Sequence, residues 1–248
     1  MKILKYKKKR NGQYEIQLDS GKNLCLYEEV ILNFSLLLKK NIDEEELDEI
    51  LLSNQEYDVY YVALKSLKNR FKSVKELRIS LLKKEYPVES VESAIHKLLS
   101  QGYLDDRSFA KAYINTQMIT TSKGPKKIEK ELLEKGVSRD IIVDELAIFT
   151  KDEQIIKIEK IANRLVRSNR SRGGIVLRKK IIQDLHNMGY SGSIVEDVLS
   201  SIDFGDTKDI AKNETEKLYQ RLSRKYSGKE LEFKIKEKLY QKGLYYED

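Results

Sequence analysis

The stretch SKGPKKIEKELLEKG, residues 122–136, has the features of one complete short helix. Gly124 can serve as its N-cap, and Pro125 stands at the first helical position, where a missing N–H does no harm. Ile128 and Leu132 lie four residues apart, on one face, and the final glycine is a stop signal. Because a lone helix of this length is marginal in water, the stretch predicts a helix that packs against neighbours.

The same helix occurs four times along the chain, with variations. Each copy carries two apolar residues four apart, and a stop residue follows four positions later. The copies span Ser73–Tyr86, Gly124–Val137, Leu177–Tyr190 and Leu231–Leu244. The stops lie 51, 53 and 54 residues apart and are Glu85, Gly136, Gly189 and Gly243. Glu85 departs from the glycine of the other copies, which weakens the case for the same turn there.

Further helical patterns precede each copy and follow the first three. We therefore predict a mainly all-α fold of tandem three-helix, helix-turn-helix-like units, the last one truncated. The predicted segments are 1–42, 43–104, 105–150, 151–203 and 204–248. A unit of about 50 residues buries little surface by itself, so stacking of neighbours into an elongated array is expected.

The first segment differs from the rest. QYEIQL alternates, with Tyr14, Ile16 and Leu18 on one face, and turn signals stand at Asn11–Gly12 and Asp19–Gly21. We predict a three-stranded antiparallel meander that packs on the helix after it, near residues 28–34. The exposed alternate face is expected to carry Cys25.

Other helix starts carry capping patterns. Asp43 with Glu46, Ser73 with Glu76, and Ser227 with Glu230 each place a cap residue three positions before an acid.

Composition narrows the class of protein. Charged residues make up 35% and hydrophobic residues 40% of 248 residues, and the single cysteine leaves no intramolecular disulfide. No apolar run approaches the ~20 residues of a membrane span, and the N-terminus lacks the apolar region of a secretion signal. We expect a cytoplasmic protein that does not bind membranes.

The net charge of +7 is unevenly distributed. Eight basic residues and no acid lie between Lys160 and Lys180, and eight more with one acid lie between Lys65 and Lys84. Such clusters suit a polyanion or an acidic protein surface, although solvated helix faces explain any one of them equally well.

Residues for catalysis are scarce. His96 and His186 fall in different units, and no phosphate-cradling P-loop is present. Asp105 and Asp106 open a helical pattern and are interpreted as capping residues. We therefore expect no enzyme activity, no cofactor and no metal.

Three-helix units with basic helices also suggest a stand-alone DNA-binding protein. The helix IEKELLEKG mixes acids through its exposed face, which disfavours that alternative because acids repel phosphate.

Three linked motifs resemble the RecX family of bacterial RecA regulators. They lie in Ala63–Lys84, Leu98–Ile114 and Lys123–Val137, and the detailed likeness covers about residues 60–146. The motif residues expected to maintain the fold are Leu67, Ser73, Glu76, Leu77, Gly102, Asp105, Asp106, Phe109, Ala110, Gly124, Leu132 and Gly136.

The resemblance implies a monomeric, non-enzymatic protein that binds RecA and its DNA filament. Such proteins usually restrain the ATPase, recombinase and co-protease activities of RecA in recombination, DNA repair and the SOS response. DNA itself is a second candidate partner. Our candidates for contact with RecA or DNA come from the basic clusters: Arg70, Lys72, Arg78, Lys123, Lys126, Lys127, Arg167, Arg170, Arg172, Arg178, Lys179 and Lys180.

Overall fold

The computed structural model describes residues 1–9, 12–169 and 171–244. Within these residues the chain forms three strands and twelve helices, so the predicted mainly helical fold with a small sheet at its start is confirmed. The chain divides into two compact units. The first comprises Met1–Ala110 with Glu134–Ile141, and the second comprises Lys111–Leu133 with the chain from Ile142 onwards.

The first unit opens with the predicted meander. Strands β1 (Ile3–Lys8), β2 (Tyr14–Leu18) and β3 (Asn23–Leu26) are antiparallel and adjacent in chain order. Their inward side chains pack on helix α1 (Glu28–Asn33), as predicted, and the same core includes Leu47 and Ile50 of the next helix. Cys25 is exposed, also as predicted, whereas Asn11 of the first turn signal lies outside the described residues.

Helix α2 (Glu44–Asn69) is a single 26-residue helix that links the sheet to the first repeat. Its N-cap is Asp43, whose carboxylate accepts a hydrogen bond from the Glu46 backbone N–H at 2.8 Å. The second half of α2 packs with α3 (Val74–Leu82) and α4 (Val88–Ser100). The core of this first three-helix group contains Val59, Ala63, Leu77, Leu81, Val91, Ala94, Ile95 and Leu98.

The remaining helices follow in the predicted order. Helices α5 (Asp106–Thr120), α6 (Pro125–Glu134) and α7 (Arg139–Leu146) form the next set. They are followed by α8 (Lys151–Ser168), α9 (Gly174–Asn187) and α10 (Gly192–Ser200). In the described chain the last two helices are α11 (Thr207–Leu222) and α12 (Gly228–Gln241). The five predicted segment boundaries remain a prediction.

All four predicted stops share one backbone conformation. The φ angles of Gly136, Gly189 and Gly243 are +84°, +94° and +69°, and that of Glu85 is +64°. Glu85 therefore adopts the same turn as the glycines, although its identity weakened that prediction, because an exposed residue can accept the modest backbone strain of a positive φ. The capping interpretation of Ser227 was also wrong, since its side chain makes no cap hydrogen bond, whereas Ser73 and Glu76 form a full capping box.

Candidate functional site

The start of one repeat helix meets the stop of the next, and the first such junction lies in the first unit. Ser73, which caps α3, donates its hydroxyl to the Lys135 carbonyl at 2.6 Å, and Lys135 Nζ lies 2.6 Å from the Glu76 carboxylate. Burial raises the pKa of Glu76, but the Lys135 ammonium, the Ser73 N–H and Arg70 outweigh it, so the net pKa is lowered. Ser73, Glu76 and Gly136, all motif residues, therefore hold two repeats together.

Two further junctions in the second unit repeat this arrangement with glycine at the helix start. The Gly124 N–H donates to the Met188 carbonyl at 2.7 Å, and the Gly173 N–H donates to the Lys242 carbonyl at 2.8 Å. In all three junctions the accepting carbonyl belongs to the residue before the stop glycine. A Cβ at Gly124 would lie 2.7 Å from the Gly189 backbone, so this approach needs glycine.

The second junction involves two of the basic residues predicted to contact RecA or DNA. The Lys126 N–H donates to the Gly189 carbonyl at 3.2 Å, and the Lys127 backbone lies against the Gly189 Cα. Both side chains remain exposed. Their backbones therefore serve the stacking of repeats, while their ammonium groups stay accessible.

Arg78 and Lys123, two other predicted contacts, are already paired. Arg78 makes a bidentate interaction with Glu92 at 2.6 and 2.9 Å. Lys123 Nζ lies 2.7 Å from the Glu131 carboxylate, which also accepts a hydrogen bond from the Tyr113 hydroxyl. These two cations contribute less free positive charge than the sequence suggested.

A basic cleft in the second unit is lined by one face of α8 and by Met118–Ser122 at the end of α5. Four cations of α8 line its cavity of about 930 Å³, and no Asp or Glu is among its lining residues in the described chain. The four cations are Lys157, Lys160, Arg164 and Arg167. The hydroxyls of Thr120, Thr121 and Ser168 in the lining already donate to backbone carbonyls, so the capacity of this surface to bind phosphate depends on the four cations.

Lys157 lies deepest of these four. Its Nζ is buried, has no hydrogen-bond partner among the described residues, and lies 5.3 Å from the centroid of the Phe149 ring. Burial lowers its pKa, against a smaller opposing effect of Glu153. An anion in the cleft would therefore stabilise the charged form of this lysine.

The sequence placed three of the four cations in the basic cluster between Lys160 and Lys180, but only one of them was a predicted contact. Arg167 was a predicted contact, whereas Lys157, Lys160 and Arg164 were not. Their spacing of three, seven and ten residues is the signal that was available, because it places all four on one helical face.

The other predicted contacts are dispersed. The Arg70 side chain is 70% exposed and lies 3.6 Å from Glu76, and Lys72 Nζ donates to the Ser80 hydroxyl at 3.1 Å. On and before α9, Lys179 is exposed, while Arg172, Arg178 and Lys180 are half-buried; Arg170 lies outside the described residues.

Asp105 and Asp106 both accept hydrogen bonds from backbone N–H groups at helix starts. The Asp105 carboxylate accepts from the N–H groups of Arg107 and Ser108, and Asp106 accepts from the Val74 N–H at 2.9 Å. The capping interpretation of the pair is thus confirmed for Asp105, while Asp106 instead caps the start of α3.

Among the residues that the structure describes, no group of three His, Cys, Asp or Glu could hold a metal ion. None of the described helices is both long and apolar enough to cross a membrane.

Three-helix repeats, with a basic cleft in the second unit, define the described chain as an α-helical repeat protein. Family models described as the first and the second three-helix domain of RecX match residues 60–98 and 105–146. A regulatory protein RecX of Listeria monocytogenes serotype 4a is 31% identical over 253 residues, covering 100% of this chain and 94% of the relative. The one from Halalkalibacterium halodurans is 29% identical, covering 97% and 94%.

Solved structures agree with these matches. A crystal structure of regulatory protein RecX superposes with a TM-score of 0.73 at 30% identity, covering 81% of this chain and 99% of that one. A second, RecX from Lactobacillus salivarius, gives a TM-score of 0.58 at 26% identity, covering 62% and 99%. The chain belongs to the RecX family, as the sequence motifs predicted.

Proposed function

We propose that this protein binds RecA and its filament on DNA and inhibits the ATPase, recombinase and co-protease activities of that filament. The observation that carries the proposal is the match of the whole chain to relatives named regulatory proteins RecX. Its setting would be homologous recombination, DNA repair and the SOS response, in the cytoplasm, where the filament forms.

The basic cleft supports a place for the nucleic acid in this proposal. A RecA filament presents phosphates together with protein surface, and four cations without a lining carboxylate suit phosphates. The predicted contacts Arg70, Lys72, Lys126, Lys127 and Lys179 remain candidates for the protein or the DNA. So do Arg172, Arg178, Lys180 and Arg170.

The test is the single-strand-dependent ATPase of RecA, titrated with this protein well below the RecA concentration. We expect inhibition at these low ratios, because one bound molecule on a filament can affect many subunits. An Arg164→Gln/Arg167→Gln variant should need about tenfold more protein for the same inhibition, since it loses two phosphate contacts. Arg221→Gln/Arg224→Gln removes the same charge from another exposed pair and should behave like the wild type. An unchanged ATPase at all ratios would contradict the proposal.

A stand-alone DNA-binding protein is the second candidate function, and the basic cleft is the observation that favours it. Binding through phosphates alone weakens steeply as salt rises, in proportion to the phosphates contacted. Strong, salt-sensitive binding to naked DNA with no effect on the RecA ATPase would favour this alternative.

A further inference from the structure

An apolar slot lies in the first unit and shares no lining residue with the basic cleft of the second. Its cavity of about 510 Å³ is enclosed by the end of α2, the α2–α3 loop, the α4–α5 loop and the start of α5. Leu64 and Leu67 of α2 line it, together with the rings of Phe71 and Tyr103. The two rings are 66% and 59% exposed, so the slot presents aromatic surface to solvent.

The segments that carry the two rings are held in place. Tyr103 follows Gly102, whose φ is +72°, and its N–H donates to the Leu98 carbonyl at 3.0 Å. Phe71 lies two residues before Ser73, which is fully buried in the first junction. Aromatic rings that are both exposed and positioned in advance are typical of the central anchors of protein interfaces.

The free charge around the slot is positive. Lys68 and Lys72 line it. Burial lowers the pKa of Lys72, and the nearby cations Arg70 and Lys84 lower it further, against a smaller opposing effect of Glu76. Asp105 also lines the slot, but its carboxylate accepts two backbone N–H groups, and hydrogen bonds from Ser108 foremost lower its pKa. An incoming carboxylate would therefore meet two ammonium groups at the rim, of which that of Lys72 also donates to the Ser80 hydroxyl.

We propose that this slot binds a bulky apolar side chain of a partner protein, on a segment whose neighbouring residues are acidic. The apolar residue fills the space between Phe71 and Tyr103, and its acidic neighbours pair with Lys68 and Lys72. A protein segment fits better than nucleic acid, because Leu64 and Leu67 line the space between the rings and suit an apolar side chain. Under the proposed function, on which this assignment of the partner rests, the segment belongs to the filament protein, and the basic cleft faces the DNA.

The direct test replaces Tyr103 with the photo-crosslinking residue p-benzoylphenylalanine in the full-length chain. The same replacement at Tyr219, which is 57% exposed in the second unit, is the matched control. After irradiation on RecA filaments assembled on single-stranded DNA, we expect position 103 to crosslink to a protein segment with an apolar residue beside acids. A crosslink to DNA, a protein crosslink without acidic neighbours, or no crosslink from a variant that still inhibits RecA would overturn the assignment.

Affinity provides an independent readout. Tyr103→Ser and Phe71→Ser should each weaken filament binding about tenfold or more, as interface anchors do, whereas Tyr219→Ser should not. Thermal unfolding of these variants should match the wild type, because all three side chains are largely exposed.

A peptide separates failure of the slot from failure of the proposed function. The probe is a fluorescein-labelled Glu-Asp-Phe-Leu-Asp-Glu peptide, compared with one that has serine in place of both apolar residues. We expect the fluorescence anisotropy to rise on addition of the protein only for the apolar peptide. The Tyr103→Ser protein should bind that peptide with at least fivefold lower affinity. If the wild type ignores RecA but binds this peptide, the slot stands and the proposed function fails. If it binds filaments but neither peptide binds and Tyr103→Ser is neutral, the slot fails alone.

Discussion

The stop of the first repeat at Glu85 and the three later stops have the same left-handed backbone but different surroundings. Glu85 is exposed. Each later stop is a glycine pressed against the start of the preceding repeat helix, with a hypothetical Cβ 2.7 Å or less from Lys75, Lys127 or Val176. A helix stop by itself therefore tolerates a side chain, and glycine is required where a neighbouring repeat covers the stop.

This difference explains why the first repeat has glutamate instead of glycine at its stop. Stacked repeats need an end that no further repeat covers, and the end of such an array is usually polar. Glu85 supplies a charged, exposed side chain at that position. Glu85 in the stop turn thus distinguishes the first repeat, at the N-terminal end of the series, from the later ones.

The largest effect should come from adding a methyl group at a covered stop. In Gly189→Ala the new Cβ would lie 2.5 Å from the Lys127 backbone nitrogen, at a φ of +94°. We expect the free energy of unfolding in urea to fall by about 3 kcal/mol or more, from overlap and backbone strain together. Gly228→Ala is the control, since its φ is +55° and nothing lies within 4 Å. A loss no larger than that of the control would show that the junction relaxes freely.

A smaller loss of unfolding free energy is expected at the first junction, where a serine side chain takes the place of glycine. Ser73→Ala removes the bond to the Lys135 carbonyl and the cap bond to the Glu76 N–H. The expected destabilisation is about 1–2 kcal/mol by chemical denaturation. Ser227→Ala, at an exposed helix start without a cap bond, should change stability by less than about 0.5 kcal/mol. Equal losses in the two variants would remove the special role of the first junction.

Acid should weaken the same junction. The pKa of Glu76 is lowered in the folded protein, so its contribution to stability is complete above the unfolded value of 4.5. That contribution is lost as the pH falls through the lowered folded value. Unfolding measured from neutral pH downwards should therefore show a shallower acid loss in Glu76→Gln than in the wild type. The exposed Glu85→Gln is the control, and an identical acid profile for Glu76→Gln and wild type would refute the linkage.

The smallest effect is expected at the uncovered stop. Glu85→Gly removes the strain of a side chain at a φ of +64° but adds freedom to the unfolded chain. A gain of about 0.5 kcal/mol in unfolding free energy is predicted. A loss above about 1 kcal/mol would mean that the Glu85 side chain contributes to the fold in its own right.

Local signals made most of the fold predictable. Apolar spacing and stop glycines are short-range features, so the helices, the meander and the repeat were visible in the sequence. The junctions were not, because Ser73 meets Lys135 across 62 residues and Gly124 meets Met188 across 64. No local pattern shows which helix start covers which stop.

The candidate surfaces were predictable only in part. Counting charges could not distinguish Arg78, which is paired with Glu92, from Arg164, which lines a cleft without acids. The apolar slot was not predicted, since only the fold brings Phe71 and Tyr103 to one cavity and shows that both rings are exposed.

The most direct test of the regulatory account is the affinity of fluorescently labelled protein for RecA filaments on single-stranded DNA. The same strand without RecA is measured in parallel, at about 0.15 M salt. The account predicts clearly tighter binding to the filament, retained when the salt concentration is doubled, because protein contacts add to phosphate contacts. Equal or tighter binding to the naked strand would contradict it.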